Sequence, residues 1–174
     1  RVQPTKPYIE YKDCDGHHDA TDAVEAWKNY LQRDKSVIVD IFQGQLRNRL
    51  TCLQCGHQNI RFEAVMYLSL PMDDSCSTLD DCLHLFLQEE KLTGNDQWYC
   101  PKCKAHVDAT KKIDLWVLPP ILIVHFKRFR MNERGMVASK NIVKINFPLQ
   151  NWKTGSYSLN QESAESAAAA YDLY

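Results

Sequence analysis

The sequence has almost no net charge and no long apolar run. With 21 basic and 22 acidic residues its formal net charge is −1, so its composition offers no concentrated basic surface for nucleic acid. Its most apolar stretch, 115–126, is too short to span a bilayer and contains Pro119-Pro120. No segment has the pattern of a secretory signal peptide. We therefore expect neither a nucleic-acid nor a membrane partner.

The sequence also lacks the even cysteine count of a disulfide framework. Seven cysteines, four of them in two Cys-x-x-Cys pairs, favour a reducing compartment and metal binding over disulfides. We therefore expect a cytoplasmic or nuclear protein. The pairs are Cys52 with Cys55 and Cys100 with Cys103, and their four sulfurs match a closed tetrahedral zinc site. Such a site has no open position for water, which predicts a structural Zn²⁺ that ties two hairpin tips.

Three histidines near these features have competing interpretations. His57 and His106 follow the two pairs closely and are possible substitute ligands. Because four cysteines are already available, we expect both to be loop histidines. His125 lies in a predicted strand, where it is either a catalytic base or a hydrogen-bonded core residue. We favour the core residue, because the sequence places no nucleophile beside it.

The remaining cysteines are predicted to have no catalytic role. Cys14 precedes His17-His18, but adjacent residues rarely form a catalytic pair, and the segment has the composition of a mobile loop. We expect Cys82 to lie in the core, on the inner face of a helix. We expect Cys76 to be an exposed loop thiol.

The periodicity of the sequence predicts an α+β domain, helical at its start and then mostly of antiparallel strands. A helix is expected from Thr21, with Asp19 or Thr21 as its cap, and a second from about Leu79, capped by Ser77 or Thr78. Residues 37–42 fit a helix or a strand. Strands are expected over 45–52, 60–70, 107–118, 121–130 and 142–147, with 121–124 buried on both faces.

Two further segments stand out by composition. Residues 160–170 are of low complexity and fit a solvated loop, an insert or a marginal helix. Residues 73–90 are locally acidic, which is typical of solvated surface and alternatively of a docking face for a basic partner. The chain begins without Met and ends within a predicted strand, so we expect residues 1–174 to be part of a longer protein.

The order of several motifs resembles the ubiquitin-specific proteases, which are cysteine proteases that remove ubiquitin from proteins. The similarity covers roughly residues 22–150 and is highly specific as a combination. The motifs are VDIFQGQ (39–45), CLQCG (52–56), YLSLP (67–71), WYCPKC (98–103), KKI (111–113) and LPPILIVHFKRF (118–129). The resemblance implies a portion of a papain-like, hand-shaped fold in which zinc ties the fingertips and the fingers hold ubiquitin. It assigns the zinc ligands to the same four cysteines.

The family's catalytic motifs are missing from this chain. Its nucleophile lies in an Asn-x-Gly-Asn-Thr-Cys motif and its general base in a Gly-His-Tyr motif, and neither occurs here. The resemblance therefore implies fingers and part of the palm of a deubiquitinating thiol protease, acting on ubiquitin and ubiquitinated proteins, with no catalytic residue in this chain. We expect the isolated chain to be inactive. The alternatives are a non-catalytic ubiquitin-binding scaffold and a zinc ribbon that binds nucleic acid.

Overall fold

The computed structural model describes residues 6–10, 12–132, 135–160 and 170–173. Within these ranges, helices form at α1 (Asp19–Asp34), α2 (Val37–Phe42) and α3 (Leu79–Leu87). None of the helices in the described ranges is long and apolar enough to cross a membrane. The strands are β1 (Gly44–Cys52), β2 (Gln58–Val65), β3 (Tyr67–Leu70), β4 (Glu90–Leu92), β5 (Trp98–Cys100), β6 (Ala105–Val107), β7 (Ala109–Val117), β8 (Ile123–Phe126), β9 (Phe129–Met131), β10 (Val137–Lys140), β11 (Trp152–Lys153) and β12 (Ala170–Tyr171).

The central element is a four-stranded antiparallel sheet in the order β2-β1-β7-β4. β1 lies between β2 and β7, with Thr51 opposite both Gln58 and Thr110. Successive side chains of a strand point to opposite faces, so β1 contributes side chains to both faces of the sheet. One face of the sheet packs against α1. On the other face, Leu46 and Leu115 join the main hydrophobic core, and the part nearer Cys52 lines a groove. The predicted α+β class and the predicted strand over 45–52 are confirmed.

The structure corrects the predicted start of the first helix and decides the alternative left open for residues 37–42. α1 begins at Asp19, and its N-cap His18 makes no side-chain capping hydrogen bond. The predicted caps were therefore wrong: Asp19 lies inside the first turn and its carboxylate pairs with Arg47. Residues 37–42 form a helix, because the Ser36 hydroxyl accepts a hydrogen bond from the Val39 N–H at 3.3 Å.

The predicted single strand over 60–70 is wrong, because the chain breaks at Met66. Before the break, Ile60 and Phe62 pack with Trp116 and Ala23 under α1. After it, the chain leaves the central sheet and β3 pairs in parallel with β8. The alternation in sequence continues across the break, but its two halves belong to different hydrophobic clusters.

Two predictions about the later strands also fail. Residues 121–124 are not buried on both faces, since Ile123 is 41% exposed and, within the described residues, β3 is the one strand that pairs with β8. Residues 142–147 do not form a strand. Instead, the backbone of Asn146 bonds to the residues at the N-terminus of α3. Its N–H donates to the Ser77 carbonyl at 2.8 Å, and its carbonyl accepts from the Leu79 N–H at 2.9 Å. Of the low-complexity segment 160–170, all but its two end residues lie outside the described residues.

The main hydrophobic core lies between α3, β3 and the later segments of the chain. α3 is capped as predicted, with Thr78 and Asp81 forming a reciprocal capping box. Cys82 is fully buried, as expected for the inner face of this helix. Cys76 is buried as well, only 2% exposed, so the prediction of an exposed thiol was wrong. The loop before α3 folds back, and the Cys76 Sγ–H donates to Asp73 at 3.4 Å.

Candidate functional site: a four-cysteine cluster beside a groove

Four cysteine sulfurs converge where two hairpins end, all within 4.8 Å of one another. Cys52 Sγ lies 3.8 Å from Cys103 Sγ, and Cys55 Sγ lies 3.7 Å from Cys100 Sγ. A tetrahedral site with Zn–S bonds of about 2.3 Å places its sulfurs about 3.8 Å apart. The spacing therefore suits one metal ion with four thiolate ligands.

Each Cys-x-x-Cys pair forms the same kind of turn. The first joins β1 to β2, and the second joins β5 to β6. In both, the residue after the second cysteine has positive φ: Gly56 at 70° and Lys104 at 55°. The N–H of that residue donates to the carbonyl of the first cysteine, at 3.0 Å from Gly56 and 2.8 Å from Lys104. This closes each turn tightly enough for both its sulfurs to face the same point.

Backbone N–H groups add to the chemistry of the cluster. The Cys55 N–H lies 3.4 Å from Cys52 Sγ, and the Cys103 N–H lies 3.5 Å from Cys100 Sγ. Although burial opposes ionisation, such N–H donors lower the pKa of Cys52 to about 7. The neighbouring Cys55 sulfur and burial raise the pKa of Cys103 to about 12. Thiolates are the metal-binding form, so the turns favour at least one ligand in that form.

The two nearby histidines take no part in this cluster. The His57 ring stacks on Trp98 at 6.2 Å between centroids, and the His106 ring meets Tyr99 edge-on at 5.5 Å. Among the described residues, the group that can hold a metal consists of the four cysteines alone. Both histidines are loop or strand-edge residues that pack on aromatic rings.

His125 is exposed, so the expectation of a core histidine was wrong. Its Nδ1 lies 3.1 Å from the Ser69 hydroxyl, and its ring approaches Tyr67 edge-on at 6.4 Å. The predicted hydrogen bond is present, and its partner is a hydroxyl that sequence reasoning did not place there. No carboxylate within the described residues orients this imidazole by an ion pair or hydrogen bond. The pair therefore lacks the third group of a hydrolytic triad.

Cys14 is tied to the central sheet instead of lying in a loose loop. Its backbone exchanges hydrogen bonds of 2.9 Å with Ile60, so residue 14 is held at the edge of β2. Burial and the carboxylate of Asp22 raise the pKa of Cys14 to about 11. A thiol of that kind is a poor nucleophile.

Several acidic side chains of 73–90 accept hydrogen bonds from other residues of the chain. Asp81 accepts hydrogen bonds from the Ser77 and Thr78 N–H groups at 2.9 and 2.8 Å, which lower its pKa to about 2. Asp80 accepts from the Trp152 indole at 3.0 Å and the Tyr157 hydroxyl at 2.8 Å. The segment therefore holds the chain together and does not present a continuous acidic face.

A groove of about 680 Å³ opens on the sheet face that points away from α1. Residues of β1, β2 and β7 form its floor, in register: Asn48 lies opposite Arg61 and Ile113, and Leu50 lies opposite Asn59 and Lys111. Met66, Tyr67, Phe86, Trp98 and Lys127 add to its lining. Met66 and Tyr67 are 39% and 54% exposed although apolar or aromatic. An open, partly apolar surface of this kind fits a folded protein better than an enclosed small molecule.

The fold and the cluster define an α+β domain with a four-cysteine cluster, able to hold a metal ion, beside an open groove. The chain matches the family described as "Ubiquitin carboxyl-terminal hydrolase" over residues 11–174. It is 37% identical over 153 residues to Ubiquitin carboxyl-terminal hydrolase 2 of Gallus gallus, covering 86% of this chain and 41% of that protein. It is 36% identical over 153 residues to Ubiquitin carboxyl-terminal hydrolase 21 of Homo sapiens, covering 85% of this chain and 26% of that protein. The chain therefore belongs to the ubiquitin carboxyl-terminal hydrolase family.

The match covers only part of each relative. Human Ubiquitin carboxyl-terminal hydrolase 2 is 33% identical over 172 residues, which is 97% of this chain but 27% of that protein. The chain thus spans about a quarter to two-fifths of the length of these relatives.

Proposed function

We propose that this chain is the ubiquitin-binding part of a deubiquitinating cysteine protease. The four-cysteine cluster beside the groove carries the proposal, together with membership of the ubiquitin carboxyl-terminal hydrolase family. The parent protein hydrolyses the isopeptide bond after the C-terminal glycine of ubiquitin, and its nucleophile and general base lie outside this chain. No catalytic residue is assigned here, and the location is cytoplasmic or nuclear.

In this proposal the cluster holds one structural Zn²⁺ through Cys52, Cys55, Cys100 and Cys103. Four thiolates fill a tetrahedral zinc site, so the metal has no position for a water nucleophile. Its role is to fix β5–β6, a hairpin of three-residue strands, against the end of the long β1–β2 hairpin. The fingertips of a hand-shaped protease are thereby held beside the groove.

The groove is the surface that receives ubiquitin. Its floor lies on the sheet face opposite α1, and its exposed Met66 and Tyr67 provide apolar contact area. Polar and charged side chains surround them, among them Arg61 and Lys111. Such a mixture of an apolar centre with a polar rim is typical of protein–protein interfaces.

Titration of ¹⁵N-labelled ubiquitin with this chain tests the proposed binding. We expect chemical-shift changes confined to one face of ubiquitin, and about tenfold weaker binding for Met66→Glu, which places a charge in the groove. Val24→Glu is the matched control, because Val24 is 53% exposed on α1, on the other side of the sheet. Binding unchanged by Met66→Glu would remove the groove from the proposal.

A ubiquitin substrate with a C-terminal fluorophore tests the proposed activity. We expect no hydrolysis by this chain and hydrolysis by the longer protein that contains it. Hydrolysis by the chain alone would place a catalytic centre within residues 1–174.

A non-catalytic ubiquitin-binding scaffold is the second candidate. It is favoured only by the absence of the nucleophile and base motifs from this chain, and a longer protein without those motifs would support it. A zinc ribbon that binds nucleic acid is the third candidate, and the net charge of −1 counts against it.

A further inference from the structure

Trp98 connects the four-cysteine cluster to the groove. Its side chain packs against the small hydrophobic cluster of Cys52, Cys100 and Val107. The same side chain is part of the groove lining. Among the described residues that pack at the cysteine cluster, Trp98 is the one that also lines the groove. Any change in the cluster that moves this side chain therefore changes the surface of the groove.

The strand that carries Trp98 has little support of its own. β5 is three residues long, and in the described part of the chain β6 is the one strand that pairs with it. Side chains alternate along a strand, so Trp98 shares a face with Cys100, and Tyr99 between them points the other way. A two-stranded hairpin is marginally stable at best in water. The position of Trp98 therefore depends on what fastens this hairpin, and the cysteine cluster is its fastening point.

The turn at Cys52 and Cys55 also contacts Trp98. His57 follows directly after that turn, and its carbonyl accepts a hydrogen bond from the Cys52 N–H at 2.9 Å. The His57 ring lies nearly parallel to the Trp98 ring, at an interplanar angle of 13° and 6.2 Å between centroids. Offset stacking of this kind stabilises a contact beyond the apolar area that it buries. Trp98 is thus held from two sides, through Cys100 on its own strand and through His57 on the facing hairpin.

The Trp98 side chain is available to a binding partner. It is only partly buried, and its indole N–H donates to no acceptor within the described ranges. The Trp152 indole, by contrast, donates to Asp80 at 3.0 Å. The groove lining also includes the apolar Leu50 and the basic Lys111, which lie opposite each other on β1 and β7. A tryptophan that offers apolar area and a donor in such surroundings is typical of the residues that dominate protein interfaces.

We infer that Trp98 is an anchor residue for ubiquitin in the groove, and that the four-cysteine cluster sets its position. The inference rests on the proposed function, since it names the contact through which the groove binds ubiquitin. With its metal bound, the cluster holds the Trp98 ring in the groove. Without the metal, the β5–β6 hairpin and the ring lose that position. The metal state of the four cysteines therefore regulates the affinity for ubiquitin.

The affinity for ubiquitin of the zinc-loaded longer protein that contains this chain tests the anchor role. We expect Trp98→Ala to raise the dissociation constant about thirtyfold, the size expected for a tryptophan at the centre of an interface. Tyr99→Ala is the matched control on the same strand. Tyr99 is 51% exposed and packs on His106 on the other face, so its change should stay below about twofold. Metal analysis should find one equivalent of zinc in both variants, since the four ligands remain.

A double-mutant cycle tests how Trp98 is positioned. His57→Ala removes the ring that stacks on Trp98 but no residue of the groove lining. It should weaken ubiquitin binding about threefold in the wild type and cause no further loss in Trp98→Ala. Chelation of zinc should weaken binding about thirtyfold in the wild type and in Tyr99→Ala, but less than about threefold in Trp98→Ala. Such non-additive losses are expected only if the cluster, His57 and Trp98 act as one unit.

The indole N–H resonance of Trp98 gives a measurement that does not depend on affinity. In protein labelled with ¹⁵N-tryptophan, Trp98→Phe identifies this resonance by its loss. We expect the resonance to shift on addition of ubiquitin and, separately, on addition of a chelator. The indole resonance of Trp27, on α1 at the other side of the sheet, should keep its position in both titrations.

The possible failures can be told apart. Wild-type protein that does not bind ubiquitin would remove the proposed function and this inference with it. Ubiquitin binding that Trp98→Ala weakens less than about twofold would overturn the anchor role and leave the proposed function standing. If the losses from chelation and from Trp98→Ala multiply, the cluster and Trp98 act independently, which overturns the coupling between them.

Trp98→Phe keeps the inference testable where Trp98→Ala does not hold zinc. The phenyl ring retains much of the packing at the cluster, while the indole N–H and part of the apolar area are lost. We expect ubiquitin binding to weaken about fivefold at full zinc content. Binding equal to that of the wild type in this variant would overturn the anchor role.

Discussion

Arg47 Nε lies 2.7 Å from a carboxylate oxygen of Asp19, in the layer between α1 and the central sheet. The N–H does not point along this line, so the contact is an ion pair without a hydrogen bond. On its other side, Arg47 Nη1 donates to Asp114 at 3.4 Å, and Lys112 Nζ donates to the same carboxylate at 2.7 Å. Arg47 and Asp114 are each only 7% exposed. One buried guanidinium thus joins the first helix to β1 and β7.

Removing this guanidinium should be costly. Arg47→Met leaves the two carboxylates without their shared partner, and we expect a loss of about 3 kcal/mol in the free energy of unfolding, measured by urea denaturation. Arg49→Met is the matched control, on the same strand and the same face. Its partner Glu89 is 3.5 Å away at the surface, so the loss should stay below about 1 kcal/mol. Equal losses for the two variants would contradict the role given to Arg47.

Metal analysis should find one equivalent of zinc for each chain, with the four cysteines as ligands. Cys55→Ser should lose the metal, because it removes one of four thiolates, and a chelator should do the same to the wild type. Hydrogen exchange of the β5–β6 hairpin should then accelerate, since its three-residue strands depend on the cluster. Cys14→Ser, at a thiol outside the cluster, should keep the zinc. Full protection of β5–β6 after chelation would show that the metal is not structural.

How much of this architecture the sequence could predict depends on the range of the interactions. The turns at Cys52 and Cys100 are local patterns with a fixed chemical meaning, and they led to the correct cluster. The cap of α3 is equally local: Ser77 or Thr78 was predicted as the N-cap, and the structure has Thr78 in that role, within a capping box completed by Asp81. In both cases the residues that decide the structure lie within a few positions of one another.

The errors arise where distant segments meet. The break at Met66 follows from the parallel pairing of β3 with β8, and Ser69 and His125 meet across 56 positions. The burial of Cys76 depends on how its loop closes over α3. Arg47 is at a polar position of an alternating strand, and only the packing of α1 on that face buries it. A single sequence contains no local signal for any of these contacts.

The capping carboxylate of Asp81 should make stability depend on pH. Hydrogen bonds from Ser77 and Thr78 lower its pKa to about 2 in the folded protein, below its ordinary value of 3.8. A lowered folded pKa means that the contribution of this carboxylate to the free energy of unfolding is fully present above about pH 4 and is lost as the pH falls toward 2.

The difference in urea midpoint between wild type and Asp81→Asn should therefore be constant near neutrality and shrink over that acidic range. Asp74→Asn is the control, because Asp74 accepts no hydrogen bond from the described residues and should show no such change. A difference that persists at pH 2 would assign the effect of Asp81→Asn to something other than its charge.

Gly44 begins β1 at a point where the chain of β7 passes too closely for any side chain. A Cβ at this position would lie 2.4 Å from the Val117 carbonyl oxygen and 2.9 Å from Pro119 Cδ. Backbone and a proline ring cannot move aside cheaply, so Gly44→Ala should separate β1 from β7 at this end and lose about 2 kcal/mol or more of the free energy of unfolding. Gly94→Ala is the comparison. Its chain neighbours and own helical turn aside, no atom of the described residues lies within 4 Å of a Cβ added at Gly94, and its φ of 63° alone should cost about 1 kcal/mol.

Because β1 carries both Cys52 and the floor of the groove, Gly44→Ala should also weaken ubiquitin binding, while Gly94→Ala should leave it intact. Equal stability of the two variants would show that the strand ends tolerate the added methyl group.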